Sequence, residues 1–236
     1  MNKMAMFFEG RTELEFSSKL IREIAGRTAV TIETRRLRGA TTHERSSKLI
    51  TTIQAGAARD GSEHFFLLFD CGGDTAAKTR MMTEYENLAR SGYSRIICQR
   101  DVAPDFTLAE VPKLERSLPM FVRTKPIVVV FVLSIMEIEA WFLAEHTHFP
   151  RIHPAITCGA IAAALGFSPE VDDMQTRPLP ANDLNRCYLL AGKEYKKAGS
   201  QSTIDALDYV TVYVETSERI PYLKRLCKEI SEFLGV

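Results

Sequence analysis

Residues 65–69 read FFLLF, five apolar positions in succession, closed by Asp70. Successive strand residues point to opposite faces, so a run apolar at both parities demands cover on both. The stretch PIVVVFVLSI (126–135) makes the same demand. Two such segments require a sheet sandwiched between helices, and the chain supplies them. Met4–Phe8, 29–37, 64–70, 94–101 and 126–135 read as strands. Thr12–Ala25, with Gly26 as its stop, and Thr75–Ser91, with Gly92, have helical spacing between them. Thr41–Ala58 reads as a further helix, basic and Ser/Thr-rich on one side. A short helix is expected around 107–117, and MEIEAWFLAEH continues the last strand as a helix.

Alternation of this kind predicts an α/β fold: a mostly parallel five-stranded sheet flanked by helices, with all strand C-termini along one rim. The texture changes after Phe149. GAIAAALGF reads as a small apolar helix, SPEVDDMQTRPLPAND as a polar loop, and two further helices are expected near 202–216 and 221–234. The expectation is an α/β domain over 1–149 and a helical C-terminal extension over 150–236 packed on the same core.

The longest apolar run, 127–136, is half of the about 20 residues a membrane-spanning helix needs. Five cysteines with no CxxC pair signal neither a disulfide framework nor a zinc knuckle, and reduced thiols in a cytoplasmic protein are expected. Lys plus Arg equals Asp plus Glu, 30 against 30, so the whole molecule has no strong field to attract nucleic acid, although local patches can. No GxxxxGK[ST] or GxGxxG occurs, which argues against an ATPase or a dinucleotide enzyme.

The chemistry-bearing residues are acids at strand ends. Glu9 follows the first strand and precedes Gly10. Asp70 ends the third and Asp101 the fourth, while Glu137 and Glu139 lie just beyond the fifth. Acids converging on one rim without matching arginines would repel one another, and a hard divalent cation, Mg2+ or Mn2+, would relieve the repulsion. The plainer reading makes each a turn or capping residue. Asp74 is placed to cap the helix beginning at Thr75, and Asp101 to form a turn with Pro104.

In this order the acids carry a resemblance. FFEGRTELEF (7–16) looks like the first motif of Toprim (topoisomerase–primase) domains, in which a glutamate ending strand one precedes a glycine. LLFDCGGD stands where such domains carry their second acidic motif, but Gly72 occupies the place of the usual second aspartate, and the next is Asp74. LSIMEIEAWFLAE (133–145) resembles a group of small bacterial Toprim-like proteins related to the overcoming-lysogenisation-defect nucleases, often found with ABC-type ATPases in anti-phage defence. The resemblance covers residues 4–145. It implies Mg2+-dependent cleavage of RNA or DNA, with Glu9 as metal ligand or general base and Asp70 holding the metal. Glu137 and Glu139 would complete the site, Asp74 would be a further candidate ligand, and an ATPase would be the partner of this toxin-like effector; Asp101 is a candidate ligand only by its place at a strand end. The alternative is a catalytically incomplete Toprim-like interaction subunit.

A phosphodiester substrate also needs cations. Arg11 beside Glu9 is the first candidate, Lys193 and Lys197 around Tyr195 are the next, and RRLR (35–38) with Arg45 and Lys48 forms a further basic stretch. Tyr195 offers a ring for base stacking. His146, His148 and His153 are close in sequence, but the i, i+2 pair shares no helix face and prolines flank the group, so no transition-metal site is read there. AWFLAE and GAIAAALGF are segments with which a partner, or a second copy in a homodimer, could be covered.

Overall fold

The structure is a computed structural model that describes residues 1–38, 49–54, 61–73 and 76–236. It divides into two compact units: residues 1–100, 112–133 and 228–236 form the first, and 101–111 and 134–227 the second.

The first unit contains the sheet. Its strands are β1 (Asn2–Phe8), β2 (Val30–Arg38), β3 (Leu49–Gln54), β4 (His64–Asp70), β5 (Arg95–Asp101) and β6 (Val128–Ser134), in the order β3-β2-β4-β1-β5-β6. β1 lies between β4 and β5, parallel to both, and β2 runs parallel to β4. The mostly parallel sheet is as expected, but it has six strands. The extra one, β3, is antiparallel to β2, with Leu37 opposite Ile50. It falls inside the helix expected over 41–58, which is thereby corrected for 49–54; the rest of that range lies outside the described residues. LITTIQ is rich in β-branched residues, which pack better on a pleated surface than on a helix.

Helix α1 (Arg11–Ala25) packs against β1, β2 and β4. Its stop is Gly26, whose φ of 54° suits glycine and whose N–H donates to Arg22 C=O at 3.1 Å. On one face of the sheet Ala5, Phe7, Leu67, Phe69, Ile96 and Cys98 meet Ala77, Met81, Tyr85 and Leu88 of α2 (Ala76–Arg90). Phe7 and Phe69 stack with centroids 4.6 Å apart. Residues of opposite parity, including Met4, Met6, Phe66 and Leu68, are equally buried, as the two-sided apolar runs required. Phe66 meets Phe233, from the helix Pro221–Leu234, edge to face.

In the second unit α4 (Glu139–Ala144), which follows the short α3 (Val111–Ser117) in chain order, buries all six of its residues and packs against the helix Pro180–Leu189. That helix occupies part of the segment expected to be a polar loop: Pro180 opens it, where a missing N–H costs nothing. The helix expected near 202–216 is broken after Ala206, and Asp208 recaps the chain by accepting from Val210 and Thr211 N–H. Among the described residues no helix is long and apolar enough to cross a membrane.

Candidate functional site

Parallel register builds the acidic rim of the first unit. Ile32 pairs with Phe66, Thr34 with Leu68 and Arg36 with Asp70, so Arg36 and Asp70 are same-face neighbours at the end of β2 and β4. Arg36 Nε donates to Asp70 Oδ2 at 2.8 Å. On the other side Asp70 is opposite Phe8, the residue before Glu9. Backbone bonds stitch the two strand exits together: Cys71 N–H to Phe8 C=O at 2.9 Å, and Gly73 N–H to Glu9 C=O at 3.0 Å. Gly72 N–H closes the turn onto Asp70 Oδ1 at 3.0 Å.

Gly72 has φ 74°, a backbone that favours glycine. Asp74 lies outside the described residues, as do Arg45 and Lys48.

Glu9 and Asp70 are both buried, 5% and 2% exposed. Arg100 Nε lies 3.6 Å from Glu9 Oε1. The expectation that the strand-end acids lack matching arginines is thus corrected for this pair. Arg100 sits on β5, next to β1, so both counter-charges come from strands flanking the acids. The acids share one environment, since both act on the Cys71 thiol. Burial first and then Asp70 push that thiol up to about 12, Arg80 and a backbone hydrogen bond oppose this, and Glu9 adds to it.

Glu13, which the sequence reading did not single out, is a further buried acid on the first turn of α1. A Cβ on Gly10 would lie 3.1 Å from Glu13 Oε2, so the glycine after Glu9 leaves room for a second carboxylate. A buried acid at the start of a helix is favoured by the helix dipole, a signal present in the sequence as T-E-L-E.

The second unit brings together Glu137, Glu139, Asp101, Lys197 and Tyr195. The exit from β6 turns sharply: Met136 has φ 61°, and Glu137 N–H donates to Ile135 C=O at 3.0 Å, closing a three-residue turn. Glu137 follows that turn and Glu139 opens α4. Lys197 Nζ lies 2.7 Å from Glu137 Oε1 and 3.7 Å from Glu139 Oε2. Glu137 Oε2 accepts from Ala181 N–H at the start of the helix Pro180–Leu189. Tyr195 O–H donates to Glu139 Oε1 at 2.7 Å.

Burial pushes the Glu139 carboxyl above its ordinary value, Lys197 and the Tyr195 bond pull it back, and Glu137 pushes it up again. Burial works against the Lys197 ammonium, but Glu139, Glu137 and Asp101 outweigh it and hold the lysine protonated. Tyr195 is buried, with its ring edge-on to Tyr188, so the stacking platform expected from sequence is corrected to a carboxylate-orienting role.

Of the remaining cation candidates, Arg11 is exposed and paired with Glu15 one turn along α1 at 2.5 Å. Lys193 is exposed in the segment after the helix Pro180–Leu189. No protein-family model, curated protein or solved structure matches this chain.

Proposed function

We propose that the chain is a Mg2+-dependent nuclease of Toprim type, with Glu9 and Asp70 as the carboxylates that hold the metal. The observation that carries this reading is the register of the two central strands: Phe8 opposite Asp70 sets two buried acids at adjacent strand exits, on backbone bonded across the gap. Hard oxygen donors in a partly desolvated crevice fit Mg2+ or Mn2+. Such an ion would polarise a phosphoryl oxygen and lower the pKa of bound water. Arg36 and Arg100 balance the acids in the free protein and supply positive charge for a phosphodiester of RNA or DNA. The resemblance to Toprim-like defence proteins extends the proposal to an effector controlled by an ABC-type ATPase, with Asp101, Glu137 and Glu139 as an additional acidic set.

A second reading is a non-catalytic interaction subunit, favoured by the same ion pairs: Asp70 and Glu9 each already face a guanidinium. The two are separated by incubating purified chain with Mg2+ or Mn2+ and tRNA, single-stranded DNA or duplex DNA, beside Glu9→Ala. Metal-dependent cleavage lost in the folded variant supports the nuclease. Cleavage undiminished in Glu9→Ala overturns the assigned site, and no cleavage of any substrate by wild type favours the interaction subunit.

A further inference from the structure

We infer that His146, Cys158 and Glu170 form a binding site for a transition-metal ion of the Zn2+ class. One ligand atom from each lies within 4.8 Å of the others. The donors come from three separate segments of the second unit. His146 opens a short 3-10 turn after α4, Cys158 is the first residue of the helix Cys158–Leu165, and Glu170 lies in the turn beyond that helix.

The scaffold holds the segments that bear Cys158 and Glu170. Thr157 Oγ1 accepts from Ala160 N–H at 3.1 Å and caps the helix that presents Cys158. Ser168 N–H donates to Asp172 Oδ2 at 2.7 Å, while Asp172 N–H returns a bond to Ser168 C=O at 2.8 Å, holding the loop that bears Glu170.

Imidazole, thiolate and carboxylate together suit Zn2+ or Co2+ far better than Mg2+, which takes oxygen donors. Three protein donors leave a fourth position for solvent in a tetrahedral shell. One further observation points the same way. His146 Nδ1 is buried with no hydrogen-bond partner, a condition that ligation of a metal through that nitrogen would answer. The other two histidines of the cluster are differently occupied. His148 is fully buried with Nδ1 2.5 Å from Glu145 C=O, and His153 Nδ1 accepts from Ala155 N–H.

This site shares no residue with the acids assigned to Mg2+, and its test does not depend on nuclease activity. Full-length protein stripped with chelator is titrated with Co2+. Wild type is expected to bind Co2+ with a thiolate-to-cobalt charge-transfer band that saturates, is displaced by Zn2+ and is untouched by excess Mg2+. Cys158→Ser should lose the band, and His146→Ala and Glu170→Gln should weaken binding by about tenfold or more. A measurement needing no variant runs alongside: Zn2+ should slow alkylation of Cys158 in the native wild-type chain by at least about tenfold, the fold-change expected when the metal holds the sulfur as a ligand. Absence of the band in wild type, a band that survives Cys158→Ser, or alkylation indifferent to Zn2+ would each overturn the assignment.

Discussion

Arg36 and Asp70 stand opposite each other on β2 and β4 with Nε and Oδ2 2.8 Å apart, so a cation entering the rim shares Asp70 with a guanidinium already in place. Asp70 is almost fully buried, while Arg36 is about a third exposed. Replacing Arg36 with alanine removes a charge-assisted bond from a buried carboxylate and should cost about 1–3 kcal/mol of stability. The same variant should bind Mn2+ more tightly than wild type, because the competing cation is gone. Urea unfolding and metal titration of Arg36→Ala check the two halves.

Tyr195 and Glu139 form the other tight contact. Phenylalanine at 195 keeps the packing against Tyr188 and deletes only the donor to a buried carboxylate. The expected loss is about 1–3 kcal/mol in urea unfolding. Because the Tyr195 bond lowers the Glu139 pKa, its removal should move that carboxyl further upward.

Met136 carries the sharp turn that delivers Glu137. Its left-handed φ of 61° disfavours β-branched side chains most. Met136→Ile should therefore cost about 1–3 kcal/mol, whereas Met136→Gly should recover part of any backbone strain. Thermal melts of the two variants, compared side by side, give the ordering.

How far the sequence reached is uneven. FFLLF announced a strand covered on both faces, because apolarity at both parities has few other uses, whereas IVVVFVL is corrected: as β6 it lies at the sheet edge, with Val128 exposed and Val129 and Phe131 half-buried. The acids at strand exits were legible because Glu9 ends the apolar run MAMFF and Asp70 ends FFLLF. Arg36 was visible only as part of a basic stretch: its partnership depends on the β2–β4 register, and a parallel register is set by packing between strands far apart in the chain. The same holds for His146, whose neighbours Cys158 and Glu170 come from other segments, so a search for histidines at helical spacing passes over it. Strand β3 was hidden by a polar and Thr-rich context in which β-branched residues are the only signal.

Asp208 supplies a pH signature. Thr211 N–H first, then Arg151, hold its carboxyl below the usual value, opposed by slight burial. A depressed folded pKa means a stabilisation fully present above the unfolded value of about 3.9 and lost as pH falls through the folded one. Asp208→Ala should cost about 1 kcal/mol at neutral pH, the worth of a helix cap, and the gap from wild type should begin to narrow below about pH 4 and close as pH falls through the depressed folded pKa. Denaturant midpoints measured from pH 7 down to acid resolve it.

The most direct test of the account is Mn2+ binding to the full-length chain followed by electron paramagnetic resonance. The account predicts Mg2+-displaceable binding to wild type that weakens by about tenfold or more, roughly 1.4 kcal/mol, in folded Glu9→Gln and in folded Asp70→Asn. Binding of equal strength in wild type and both variants, or none in wild type, would contradict it.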